Sequence, residues 1–500
     1  MMKNLANQFT ATATQNREKT AIFWGDQEYT FGKAHALAGG LARRLKDEFG
    51  LQPGDRVGLW LKNCPEFVFS LFGILLAEGV VVSINNFLTP DEVGYILGDS
   101  QAKVLISEAS MAEGTASLKS QLDGLAVIDV EELGQADASQ APELPPAGQA
   151  GEDLSLIIYT SGTTGKPKGA MLSNNNLLRN VEAVMNELEL TPEDRMACLL
   201  PMFHSFSMTV CVLLPMTQGL SIVAIRSLHP PKNIIAEIMQ HQATVLPAIP
   251  QLYRALANSK LPPNLPLRVC CSGAAPLPLE VLKAFNENVG IPLLEGYGLS
   301  ETSPVACFNP LHGEKKPGSV GLPIKGVEFQ IWNDAGEVLP IGEQGDICIK
   351  GHNVMMGYWN NAEATAAAIK GDWFLSGDIG YLDEDGYLYI TDRKKDMLLV
   401  NGINVYPREL EEVIYQFDGI KEAAVIGVND PRKGDLVVAC VAPNEGADID
   451  DSMLLGFLKD KLAAYKLPRK VMQMEALPRN ATGKILKTKL REIAAKQYGR

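Results

Sequence analysis

Through about its first 390 residues the chain alternates β-branched apolar runs with segments of helical periodicity, and no other feature limits its fold class so strongly. Arg56 to Trp60 and Ala102 to Ser107 read as strands. Asn174 to Leu190 places Leu177, Val181, Val184 and Leu188 at steps of three and four behind a candidate N-cap, Ser173, and reads as an amphipathic helix. After about residue 390 the texture shifts to short units: a charge knot from Asp392 to Asp396, an apolar Met397-Leu-Leu-Val, and a helix opened by Pro407. Strands at about 421 to 428 and 435 to 442 and a helix at about 451 to 463 follow. The prediction is an α/β protein with two parts. A large N-terminal domain of α/β layered subdomains spans residues 1–392, and a small, mobile α+β C-terminal domain spans 393–500, with a hinge near Lys395. Residues 135 to 153, polar and rich in Pro, Gly and Ala, predict a surface linker rather than a core element.

Composition narrows the function. The net charge of −14 argues against nucleic acid as the main partner. Residues 461 to 500 nevertheless hold eleven Lys or Arg against two Glu, a local +9 that suits an anionic small molecule carrying phosphates; the alternative is a solvated helix end. The eight cysteines form no CxxC pair and read as reduced, buried thiols. No signal-type apolar core follows Met1, which supports a cytoplasmic reading. The longest apolar runs, Phe67 to Ala77 and Phe206 to Pro215, fall short of the ~20 residues that span a bilayer, so they predict buried helices, and any membrane contact would be peripheral.

Five stretches carry chemistry. YTSGTTGKPKG, Tyr159 to Gly169, follows an apolar strand: Gly162, Gly165 and Gly169 admit close backbone approach, Thr160, Ser161, Thr163 and Thr164 supply donors, and Lys166 supplies charge, a loop suited to a polyphosphate. It lacks Walker A spacing, and Pro167 stands where Ser or Thr would bind magnesium. EGYGLSETSP, Glu295 to Pro304, offers hydroxyls and the carboxylate of Glu301, suited to a hard cation beside phosphate. WFLSGDIG, Trp373 to Gly380, sets Asp378 between glycines, either a turn acid or an acceptor for two ribose hydroxyls. The charge knot sits at the composition boundary. LPRNATGKILK, Leu477 to Lys487, carries Lys484 on a Gly-flanked loop, a long cation able to reach a reacting phosphoryl group.

In this order the stretches resemble the signatures of the adenylate-forming enzymes, which include the acyl-CoA synthetases, and the resemblance covers essentially the whole chain. It implies a nucleotide site formed by Thr160, Ser161, Gly162, Thr163, Thr164, Gly165, Lys166, Gly273, Ala274, Ala275, Glu295, Gly296, Tyr297, Gly298, Thr302, Asp378, Arg393 and Lys484. Tyr297 would lie against adenine, Asp378 and Arg393 at the ribose, and Thr302 at phosphate, while Glu301 would hold magnesium. Lys484 would be the catalytic cation, Lys395 the hinge between an adenylating and a thioester-forming arrangement, and Gly402 the place where the pantetheine arm of CoA passes.

PMFHSFSMTVCVLLP, Pro201 to Pro215, is almost wholly apolar around His204, where amino-acid-activating relatives typically carry an aspartate. An amino acid would lack its counter-ion here, so a hydrocarbon acid fits better. His204 either gates the pocket or orients the carboxylate, or is a satisfied core histidine. The resemblance thus implies an ATP-dependent fatty acid–CoA ligase for a medium- to long-chain acid, with ATP, Mg2+ and CoA. Alternatives are loading of an acyl carrier protein and ligation of an aryl or dicarboxylic acid; a homodimer is left open. Many relatives have histidine where this chain has Asn174, a departure expected to be neutral.

Overall fold

The computed structural model describes residues 3–135, 145–160, 166–228, 230, 232–400, 403–430, 434–480 and 483–498. Ser161 to Gly165 and Gly402 therefore lie outside the described residues, as does most of the Pro/Gly/Ala-rich stretch. Among the described residues the strands assemble into four sheets, three in the large N-terminal domain and one in the small C-terminal domain.

Two of the sheets have parallel centres. In one, Leu154–Thr160, Val80–Ser83, Arg56–Leu59, Val104–Ser107 and Ala126–Asp129 run parallel. In the other, the parallel run passes from Leu293–Gly298 through Val269–Ser272, Val245–Ala248, Arg195–Cys198 and Ser221–Ala224 to Thr20–Trp24. Strands covered on both faces need continuous apolar character, and Val80 to Ser83 and Ser221 to Ala224 are buried at every position. The apolar helix Pro65–Leu76 is buried along its length except at Glu66, as its composition predicts. Asn174–Glu187 is the expected amphipathic helix, closed at its start by a capping box between Ser173 and Asn176. A third, antiparallel sheet holds Val327–Trp332, Gly345–Gly351, Trp373–Leu382 and Leu388–Arg393. Its last strand continues one residue past Asp392, because Arg393 pairs with Asp378.

The small domain centres on Ile420–Asp430 and Gly434–Pro443, flanked by Leu398–Val400 and Lys470–Gln473 and packed by the helices Pro407–Ile414, Asp451–Lys459 and Lys487–Tyr498. One expectation needs correction. The end of the presumed surface linker is tied into the core: Ala147 is buried and exchanges hydrogen bonds with the Asn7 amide at 2.9 and 3.0 Å, and Asn4 Nδ2 donates to Gln149 O at 2.8 Å. Asn174 joins this anchor, accepting from the Leu5 amide at 3.0 Å. A run of Pro, Gly and Ala reads as linker because it lacks large apolar side chains, yet its backbone groups are what the amides of the first helix bind.

Candidate active site

Open α/β sheets bind ligands beyond the carboxyl ends of their strands, and the sequence stretches converge there. Leu154–Thr160 leads into the Thr/Gly loop, Val269–Ser272 into Gly273, Ala274 and Ala275, and Leu293–Gly298 into a short turn at Ser300–Thr302. The hairpin after Leu293–Gly298 is so tight that a Cβ on Gly298 would stand 1.9 Å from Pro304 O, so glycine is required there.

A cavity of about 990 Å³ lies between the two domains. Ala274, Ala275, Gly296, Tyr297, Gly298 and Asp378 line it from the large domain; Arg393 and Lys395 stand at the hinge, and Lys484 faces them from the small domain. Asp378 is buried, accepting from Tyr297 Oη at 2.6 Å and lying 3.4 Å from Arg393 Nε. An acceptor bracketed in this way has a fixed orientation and a lone-pair set facing the cavity. Gly273 lies just behind the wall, where its missing Cβ leaves room for the Phe206 ring.

Lys484 reaches the cavity on a narrow turn. Asn480 Oδ1 accepts from the Lys484 amide at 2.9 Å, and Arg479 ties the turn to the sheet through Glu422 at 2.8 Å. Gly483, at φ +80°, passes so close to Ile249 of the large domain that a Cβ would lie 2.4 Å from its Cδ1. Burial and the repulsion of Arg393 pull the Lys484 ammonium down to about 7, against which Asp378 acts. His204 lies at the start of the helix that begins at Ser205, its Nδ1 accepting from the Phe206 amide at 3.3 Å, which places the proton of the neutral ring on Nε2. Burial, aided by the charge of Lys484, lowers its pKa to about 4, so it is neutral at physiological pH.

Of the remaining predicted residues, Glu295 also lines the cavity, whereas Glu301, Thr302 and Lys166 sit outside its lining. Glu301 is buried, and its Oε1 accepts from two neutral hydroxyls, Tyr358 at 2.9 Å and Thr160 at 3.3 Å. Among the described residues no group of three His, Cys, Asp or Glu could hold a metal ion by itself. A lone carboxylate held by neutral donors fits Mg2+, which takes one or two carboxylates and completes its shell with water and substrate phosphate. Thr302 is fully buried, and its hydroxyl lies 2.6 Å from Pro304 O and accepts from the Leu299 amide at 2.9 Å; in this conformation it shapes the turn that presents Glu301. Lys166 is exposed, 5.4 Å from the centre of the Tyr95 ring. Glu295 is buried against the Leu277 amide at 3.0 Å, with Arg408 of the small domain 3.8 Å away. Burial, tempered by Arg408, raises its carboxyl to about 7. Sequence reasoning missed Tyr358 and Arg408. Tyr358 sits on a two-residue strand, Gly357–Tyr358, too short to leave a periodic signal.

Comparison with known proteins completes the picture. The AMP-binding enzyme family matches residues 9–359, and the AMP-binding enzyme C-terminal domain matches residues 409–484. A long-chain-fatty-acid–CoA ligase of Bacillus subtilis (strain 168) is 34% identical over 538 aligned positions, covering 98% of this chain and 94% of its own. A feruloyl-CoA synthase of Amycolatopsis sp is 35% identical over 483 positions, covering 96% of each. The crystal structure of ATP-bound MatB from Rhodopseudomonas palustris superposes with a TM-score of 0.91 at 32% identity, covering 100% of both chains.

Proposed function

Since the chain belongs to the AMP-binding enzyme family and is an acyl- or aryl-CoA ligase of the adenylate-forming type, we propose that it joins a medium- to long-chain fatty acid to CoA at the expense of ATP. The observation that carries the choice of acid is the segment 200 to 218. It contains no Asp, Glu, Lys or Arg, and every residue from Ser207 to Thr217 is buried. In this reading the segment borders the path of the acid, and a second charge on the acid, or an α-amino group, would meet no counter-ion from it.

A carboxylate is a poor acyl donor because oxide would have to leave. Attack of its oxygen on the α-phosphorus of ATP releases pyrophosphate and gives acyl-AMP, from which AMP departs readily when the CoA thiol attacks the carbonyl carbon. In this reading Tyr297 and the Ala274–Ala275 edge seat the adenine, and Asp378 and Arg393 hold the ribose. Lys484 approaches the carboxylate and the α-phosphate together, so that its charge is greatest where the phosphoryl oxygens become more negative. Triphosphate entering the cavity favours the ammonium form of a lysine poised near neutrality. Glu301, with Thr302 shaping its turn, would hold the magnesium ion, which when bound neutralises phosphate charge. His204, uncharged and donating from Nε2, would orient the acid's carboxylate.

The thiol step requires the small domain to turn about Lys395 so that Lys484 withdraws. The contacts on either side support that pivot. Lys394 pairs with Asp334 and Asp346 of the large domain at 2.8 Å each, and Asp396 pairs with Arg491 of the small domain at 2.6 Å. Rotation at the residue between them leaves both sets intact.

A second reading, an aryl acid, is favoured by the feruloyl-CoA synthase relative and by a benzoate CoA ligase from Burkholderia xenovorans LB400 at a TM-score of 0.90 and 28% identity. Pyrophosphate release against a panel of acids, each with and without CoA, tests both. Turnover requiring a C8 to C18 acid and CoA supports the proposal. Preference for cinnamic or benzoic acids selects the aryl reading, and acyl transfer to a carrier protein in place of CoA overturns the acceptor. No helix among the described residues is long and apolar enough to cross a membrane.

A further inference from the structure

Arg408 lies in the first turn of the helix Pro407–Ile414, where the helix dipole disfavours a cation. Its surroundings give the reason for its presence. The Arg408 amide donates to Asp392 Oδ2 at 2.9 Å, Nη1 donates to Ile390 O at 2.9 Å, and Nη2 lies 3.8 Å from Glu295 Oε1. All three acceptors precede Lys395 and belong to the large-domain side, whereas Arg408 follows it. The site is well enclosed, with the Arg408 side chain 12% exposed and that of Glu295 4%. Asp392 supplies, from the far side of the hinge, an anion to a helix start that has no side-chain cap of its own. Other contacts cross the same seam: Glu412 accepts from the Leu279 amide at 3.4 Å, and Arg254 reaches Ile420 O at 3.5 Å.

We infer that Arg408 is a positioning residue for the adenylation step: its ties to Glu295, Ile390 and Asp392 latch the small domain in the arrangement that brings Lys484 into the cavity, and they must part before the thiol step. The inference rests on the two-arrangement reading above. Lys394 and Asp396 keep their partners through a rotation at Lys395, but Arg408 cannot. A buried carboxylate abandoned by its cation is costly, which would make a permanent lock of an ordinary ion pair. Here the cost is moderated. Glu295 faces Arg408, the Leu277 amide and the like charge of Glu412, and with its carboxyl near neutrality it can take up a proton as the guanidinium leaves. The latch is therefore releasable at physiological pH.

The experiment separates the half-reactions in the full chain carrying Arg408→Ala, Arg408→Lys or Glu295→Gln. Acyl-AMP formation from ATP and acid without CoA is expected to slow about 10- to 100-fold in Arg408→Ala, less in Glu295→Gln, and to recover partly in Arg408→Lys. Thioester formation from supplied acyl-AMP and CoA is expected to stay within about twofold or to rise in the two Arg408 variants. Equal loss in both half-reactions, or loss in neither, overturns the latch. If Arg408→Ala melts early, Arg408→Gln, which keeps more of the side chain's volume, decides by the same split. Energy transfer between a dye on each domain tests the underlying reading separately. A wild-type distance unmoved by acyl-AMP and CoA would overturn the two-arrangement reading itself. A wild-type distance that moves, with Arg408→Ala already shifted toward the moved value before ligand, supports the latch, and an unshifted variant overturns the latch alone.

Discussion

The loop that carries Lys484 and the helix that begins at Lys487 lie three residues apart, and both lysines are half-buried, yet they meet opposite electrostatics. Lys487 lies 2.7 Å from Glu411, with Asp392 and Asp396 near, so attraction outweighs burial and its pKa is raised. Lys484 has no carboxylate within ion-pair distance among the described residues, and burial with Arg393 pulls it to about 7. A buried cation whose charge is matched by the protein belongs to the fold; one left unmatched is matched by something that binds. Two buried acids of the site, Asp378 and Glu301, differ similarly. Asp378 stands beside Arg393, whereas Glu301 accepts only from the neutral hydroxyls of Tyr358 and Thr160 among the described residues.

The widest break in this comparison should come from Lys484→Ala. Acyl-AMP formation is expected to fall about 100- to 1,000-fold, the cost of removing one preorganised charge from a phosphoryl-transfer site, while calorimetric ATP affinity changes only a few-fold. Comparable loss of ATP affinity would instead make Lys484 a binding residue. Lys487→Met should act on stability: Glu411, which also accepts from the Val425 amide at 2.7 Å, would be left buried without a cation, at a cost of about 3 kcal/mol in denaturant unfolding. Adding Glu411→Gln should recover most of that loss, because the neutral amide removes the uncompensated charge while keeping an acceptor for the Val425 amide.

The sequence conveyed the chemistry of this cleft better than its wiring. Parallel strands and amphipathic helices were legible because burial on one or two faces imposes period and length, as at Arg56 to Leu59, Val104 to Ser107 and Leu177 to Leu188. Asp378, Tyr297, Arg393 and Lys484 could be named because their stretches resemble a family, and the fold sets them around one cavity. Tyr358, Arg408 and the Ala147 anchor could not. Tyr358 meets Glu301 across 57 residues and Arg408 meets Glu295 across a domain boundary, and such contacts depend on tertiary register that local spacing does not encode. Lys166 shows the converse. It stands in the most recognisable stretch, yet it is exposed beside Tyr95, because a loop's composition names the residues that could face a ligand without fixing which of them do.

Glu301 offers the next test, at smaller amplitude. Glu301→Gln keeps an oxygen to accept from Tyr358 and Thr160 but removes the charge, so the Mg2+ concentration for half-maximal activity should rise about 10- to 100-fold; Tyr358→Phe, which loosens the same carboxylate, should sit at about 10-fold. Unchanged magnesium dependence in Glu301→Gln would place the ion elsewhere and leave Glu301 as a structural acid.

The finest distinction lies in titration. With its pKa lowered to about 7, the Lys484 amine should gain reactivity toward an acylating reagent with a midpoint near pH 7, read by mass spectrometry of the modified peptide. A lowered lysine is neutral above that midpoint and charged below it. ATP, bringing negative charge into the cavity, should move the midpoint upward by at least about one unit. Lys487, paired and shifted the other way, should stay unreactive through the same range with or without nucleotide. His204, lowered to about 4, should leave no inflection of its own between pH 5.5 and 8, so His204→Asn would preserve the shape of the activity profile. If the Lys484 midpoint stayed near the ordinary lysine value, the cleft would be wetter than its burial implies, and the contrast between the two lysines would reduce to packing.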